Sequence, residues 1–124
     1  NNMKNFAVVI FLSVFLVGCS TITGMMNVKE HDPALALSYI DTKISMKEAL
    51  CEDIITLEDV LYQAEWMHEY TLFVNDPQKV TAGNVVVDIE KAIKYSFDNV
   101  DVCNRFLKLA NLKLKTLQKS WGTR

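Results

Sequence analysis

The sequence predicts a small all-α protein: a helical bundle of one short helix and three main helices, preceded by an N-terminal leader and tether. Three observations carry that expectation. Only four glycines and two prolines punctuate 124 residues, half of which are hydrophobic. Between residues 46 and 121, apolar side chains recur mostly at spacings of three and four, the period of a helix with one buried face. Helix starts and stops stand at Asp32-Pro33, Asn75-Asp76-Pro77 and Asp101, where the local chemistry favours them.

The leader comes first. Met3 and Lys4 read as a true start with a minimal positive region, and Asn1 and Asn2 as residues carried over from upstream. Phe6 to Val17 is apolar apart from Ser13. That run is shorter than the ~20 residues a spanning helix needs, but it suits the hydrophobic region of a secretory signal. It closes on Leu16-Val17-Gly18-Cys19, which resembles the lipobox of bacterial lipoproteins. The resemblance covers Met3 to about Ser20 and implies a cleaved signal peptide over residues 1–18. It also implies a diacylglycerol on the Cys19 sulfur and an acyl chain on its new amino group, of palmitate type. Two or more chains hold a protein firmly to a bilayer at ~0.8 kcal/mol per buried methylene. In lipoproteins of enteric-type bacteria an aspartate after the cysteine retains the protein in the inner membrane. Ser20 therefore implies the outer membrane, with the domain facing the periplasm from its inner leaflet.

Residues 19–31 lack periodicity and read as the lipidated cysteine and a flexible tether, with a reach of ~20 Å. The bundle domain is expected over 32–124. The chain from Cys19 to Arg124 holds 106 residues, enough for one small domain. Without Lys4 its 12 basic residues face 15 acidic ones, a charge of −3, which does not advertise nucleic-acid binding.

A short helix is expected from Pro33 to about Tyr39 or Asp41. Ser45-Met46-Lys47-Glu48 matches a capping box, and a long helix is expected from about Met46 to Phe73. Its seam would be Leu50, Ile54, Leu57, Leu61, Ala64 and His68. Lys79 to Ile89 is ambiguous. Its three consecutive valines fit a hairpin about Ala82-Gly83-Asn84. They also fit a helix capped by Asn84 and running to Phe97, with Val86, Ile89, Ile93 and Phe97 inward. The helix is favoured, because a lone hairpin in a helical chain is marginal. The last helix, about Val102 to Lys119 and capped by Asp101, carries the cleanest stripe: Cys103, Phe106, Leu107, Ala110, Leu114, Leu117 and Trp121.

Three main helices joined by short loops run up, down and up, so the long helix and the last one are parallel. Cys51 and Cys103 then fall at the same end, about four residues or ~6 Å out of register. Export places them in an oxidising compartment, where an even pair in a small domain suggests a disulfide. Closing a loop of about fifty residues contributes ~4 kcal/mol in the loop-entropy model.

Catalytic candidates are few. Glu65-x-x-His68-Glu69 sets a carboxylate and an imidazole on adjacent turns, but a di-iron bundle site needs a second such motif, and His31 is the only other histidine. His68 falls on the seam, so a core or rim histidine is the simpler reading. No Gly-rich phosphate loop and no Cys-x-x-Cys spacing occurs. The expectation is a non-enzyme with no metal, no cofactor beyond the lipid on Cys19, and no small-molecule substrate.

Two features point to binding. Ile55, Tyr62, Trp66, Tyr70 and Phe73 form a second stripe, roughly 150° from the core seam. It is either covered by the short helix or tether, or left open as a partner face. Tyr62, Trp66, Tyr70 and Phe73 are the candidate partner-binding residues. Charge is also divided: seven acidic residues and one lysine lie between Met46 and Tyr70, while six basic and no acidic residues follow Asp101. Mutual attraction between parallel helices accounts for this simply. A sharper account sets Lys108, Lys113, Lys115 and Lys119 against anionic headgroups or an acidic partner.

Size, lipobox, helices and a disulfide together make the chain similar to the secretin pilotins of the PulS/OutS type, which bind a secretin tail and carry it to the outer membrane. That similarity is one of plan, so no binding residue transfers from it. It implies a lipid-anchored, periplasm-facing binding or assembly module, pilotin- or adaptor-like, whose partner is another envelope protein. The alternative is a plasmid- or phage-type exclusion or immunity lipoprotein; a small metal-binding or enzymatic lipoprotein fits the residues least.

Overall fold

The computed structural model describes residues 31–124, so Cys19 and the lipobox lie outside the described residues. Four helices follow one another: α1 (Pro33–Glu48), α2 (Ile54–Phe73), α3 (Lys79–Tyr95) and α4 (Val100–Gly122). Each packs on its neighbour in sequence, and α1 closes the ring by packing on α4. The diagonal pairs do not adjoin. Short turns make the path up, down, up and down, so the α1–α2 and α3–α4 turns share one end of the bundle. The α2–α3 turn and the two chain ends of the bundle share the other. Among the described residues no helix is long and apolar enough to cross a membrane.

The expected all-helical bundle is therefore present, with different boundaries in its first half. The first helix is not short; it runs to Glu48. Its buried positions are Leu35, Ser38 and Thr42. The hydroxyls of Ser38 and Thr42 donate to the carbonyls of Leu35 and Ser38 at 2.8 and 2.7 Å, which satisfies them inside the core without an apolar pattern. Ser45 and Glu48 thus belong to the last turn of α1 and form no capping box. The second helix begins at Ile54, where the Asp53 carboxylate accepts from the Ile55 N–H at 3.1 Å. Leu50 falls in the turn and is exposed, so it is not a seam residue. The real seam of α2 is Leu57, Val60, Ala64, Met67 and Thr71, with Leu61 and His68 at its margin.

Lys79–Tyr95 is a helix, not a hairpin, and it starts a turn before Asn84. Ala82, Val85, Val86, Ile89 and Ala92 are buried along it. Phe97 was expected inward but is 87% exposed, because α3 ends at Tyr95 and the chain turns outward there. Asn99, not Asp101, caps α4, accepting from the Val102 N–H at 3.1 Å. The α4 stripe is otherwise as expected: Cys103, Leu107, Ala110, Leu114, Leu117 and Trp121 are buried. Phe106 sits half-buried beside them, stacked on Tyr95.

Cys51 and Cys103 are joined, with an S–S distance of 2.04 Å across a sequence separation of 52. Cys51 stands in the α1–α2 turn, not inside the long helix, and Cys103 in the first turn of α4. The bridge sits in a small core of its own with Leu57, Ala92 and Leu107. At the opposite end, the buried Asp76 carboxylate accepts from Trp121 Nε1 at 3.0 Å and from Arg124 Nη1 at 2.5 Å. One end of the bundle is closed covalently and the other by a carboxylate.

Candidate functional site

The residue nearest to a chemical motif, His68, belongs to packing. Its ring lies against Gly83 of α3, where an added Cβ would come within 2.9 Å of Nε2. Glu65 and Glu69 point to solvent. Among the described residues no three histidine, cysteine, aspartate or glutamate side chains gather as a metal would require.

The second stripe of α2 is different. Tyr62, Trp66 and Phe73 are 65%, 48% and 87% exposed. Ile55 is exposed about two turns before them, and Tyr70 is half-buried among them. Neither α1 nor any other described segment covers the ridge. Spacings of four and three put these side chains on adjacent turns, and the rings use that proximity. Trp66 and Tyr70 stack with centroids 5.6 Å apart and planes 4° from parallel, and Phe73 tilts onto Tyr70 at 6.5 Å.

One hydrogen bond fixes the group. The Tyr70 hydroxyl donates to Asp32 Oδ2 at 2.8 Å, while Asp32 Oδ1 accepts from the Ala34 N–H at 2.9 Å. Asp32 is thus the expected cap of α1 and also the clasp of the ridge. The bond to Asp32, with burial and the charge of that carboxylate behind it, raises the Tyr70 pKa above its ordinary value. Tyr70 stays protonated and keeps donating throughout the neutral range.

The four sequence-predicted partner residues therefore share one face near the end of the bundle where α1 begins. What sequence reasoning missed was the second role of Asp32, whose partner Tyr70 lies 38 residues away. A cap aspartate with a free second oxygen was the available signal.

The acidic stretch and the basic last helix do not pair directly. α2 and α4 are diagonal and share no ion pair among the described residues. Lys113 pairs with the buried Asp88 of α3, and Arg124 with Asp76.

No family model, curated protein or solved structure matches this chain.

Proposed function

We propose that this chain is a lipid-anchored binding or assembly module of a bacterial envelope, pilotin- or adaptor-like. In this reading Cys19 carries the lipid, the anchor lies in the inner leaflet of the outer membrane, and the bundle faces the periplasm. The occupant of its binding face is another envelope protein, and the chain performs no catalysis of its own.

The observation that carries the reading is the Trp66 stack. A small domain gains nothing in stability by leaving three aromatic rings in water, and contiguous apolar patches of this kind mark interaction sites. Aromatic residues dominate interface hot spots, where truncation costs ~2 kcal/mol or more of binding, over thirtyfold in affinity. The clasp from Asp32 adds to this by holding the rings in place before a partner arrives, which lowers the ordering cost of association.

Trp66→Ala tests the reading directly. Because Trp66 is half-exposed, the variant should melt within a few degrees of the parent. It should lose capture of its envelope partner from detergent-solubilised membranes. A stable variant with undiminished capture rejects the ridge as the binding face. The anchor is tested apart from it: Cys19→Ala should leave an uncleaved, unlipidated precursor, and normal processing of that variant would reject the lipoprotein assignment.

A further inference from the structure

α1 and α4 pack together less extensively than any other adjoining pair, and the seam between them is open. Near the start of α1 the seam holds a half-enclosed cavity of ≈ 210 Å³ with almost wholly apolar walls. Leu35, Tyr39 and Ile40 of α1 face Trp121 of α4 across it. Nearer the disulfide the seam widens into a shallow trough between Lys43, Lys47 and Met46 on α1 and Asn104, Lys108 and Asn111 on α4.

The trough is basic and carries no carboxylate. Lys43 donates to Asn111 Oδ1 at 2.5 Å. Burial, helped by the ammonium groups of Lys115 and Lys47, lowers the Lys43 pKa, so each of those two cations stands close enough to Lys43 to repel it. Neither of the two ion pairs among the described residues involves Lys43, Lys47, Lys108 or Lys115. Three lysines from two helices thus line the trough, with Lys115 close to Lys43.

Size decides what the strip can hold. Sites for whole small molecules enclose about 300–1,000 Å³. The cavity, at ≈ 210 Å³, takes a single large side chain, while the trough beside it, at ≈ 530 Å³, is shallow and open along one side. Ala36 and Lys43 are seven residues apart, ~10 Å along a helix, and Lys47 stands ~6 Å beyond. The apolar cavity and the basic trough together call for an occupant that carries one large apolar group and negative charge about 10 Å from it, which an acidic amphipathic peptide supplies.

We propose that the α1–α4 seam is a docking groove for an acidic amphipathic segment of a partner protein. The segment seats one large apolar side chain in the Leu35–Trp121 cavity and lays carboxylates along Lys43, Lys47, Lys108 and Lys115. If it lies along α1 as a helix, its anchor and its acidic residues are seven to eleven positions apart. This face is distinct from the aromatic ridge of α2, so the two can succeed or fail separately.

The test uses the full chain in detergent as bait for a phage library of random 16-residue peptides. Enriched peptides should combine one large apolar residue with two or more acidic residues seven to eleven positions away. Their affinity should fall at least tenfold for Lys47→Glu/Lys108→Glu, whose side chains are exposed, and for Ala36→Trp, which fills the cavity. It should be unchanged for Tyr62→Ala/Phe73→Ala. Peptides that Ala36→Trp weakens but that carry no acidic residues or bind the charge-reversed protein equally, or no enrichment of peptides that Ala36→Trp weakens, would overturn the proposal. So would selective protection of Lys43, Lys47 and Lys108 from amine acylation by phosphatidylglycerol vesicles with no peptide enriched, which assigns the strip to lipid. A benzophenone at Ile40 that crosslinks into residues 20–30 of its own chain would assign the groove to the tether and equally overturn it.

Discussion

Asp76 is a buried carboxylate with three donors: Arg124, Trp121 Nε1 and the backbone N–H of Gln78 at 2.8 Å. Burial alone raises its pKa, but the bonds from Arg124, Trp121 and Gln78 outweigh burial and hold it below the ordinary value of 3.8. A carboxyl whose folded pKa is depressed stabilises the fold above its unfolded pKa and loses that contribution as pH falls through the folded one. Melting temperature should therefore drop on acidification below about pH 4, the ordinary aspartate range. Asp76→Asn should cost about 2 kcal/mol at neutral pH, in line with hydrogen bonds to charged groups, and should flatten that acid limb. A variant as acid-sensitive as the parent would show that another carboxylate controls it. Gly83 makes a second argument at this scale. Alanine is favoured over glycine inside a helix by ~1 kcal/mol, yet the His68 ring occupies the space. Overpacking costs ~1–3 kcal/mol, so Gly83→Ala should destabilise by about 1 kcal/mol net. In a His68→Ala background the same change should stabilise, and a thermal-melt double-mutant cycle reads that reversal of sign.

The helices differ in how plainly they announce themselves. α4 was legible almost to its ends, because every buried position from Cys103 to Trp121 is apolar and returns at helical spacing. The start of α1 was legible from Asp32-Pro33, and α2 ends at Asn75-Asp76-Pro77 as expected, with Asn75 at φ 51°, a left-handed conformation asparagine tolerates. The body of α1 was hidden, because two of its three buried positions are hydroxyl residues bonded to their own helix. Thr42→Val tests that account. The Ser38 carbonyl keeps its place in the helical ladder, valine and threonine have similar helix propensities, and a methyl replaces a buried hydroxyl. Stability should stay equal or rise by up to ~1 kcal/mol by denaturant titration; a loss above that amount would mean the hydroxyl is holding the helix. The seam of α2 was misplaced because Leu50 continues the apolar pattern past the true helix start. The aromatic residues were legible by spacing alone. Their exposure and the Asp32 clasp were not, since both depend on where α1 comes to rest.

At the scale of the whole bundle, two unlike closures hold opposite ends. In the loop-entropy model a bridge spanning this separation contributes ~4 kcal/mol, which for a domain of this size corresponds to more than about ten degrees of melting temperature. Reduction of the purified protein should produce a fall of that order, and two freely alkylatable thiols in protein taken fresh from the cell would contradict the bridge. The position of the link matters as much as its strength. Residues 51–103 form a covalent ring that contains all of α2 and α3. α1 and nearly all of α4 leave that ring as two arms from neighbouring points, like the blades of a pair of tweezers. Nothing covalent holds the arms beyond the hinge, so their far ends stay on the ring only through packing and through the bonds of Asp32 to Tyr70 and of Trp121 and Arg124 to Asp76.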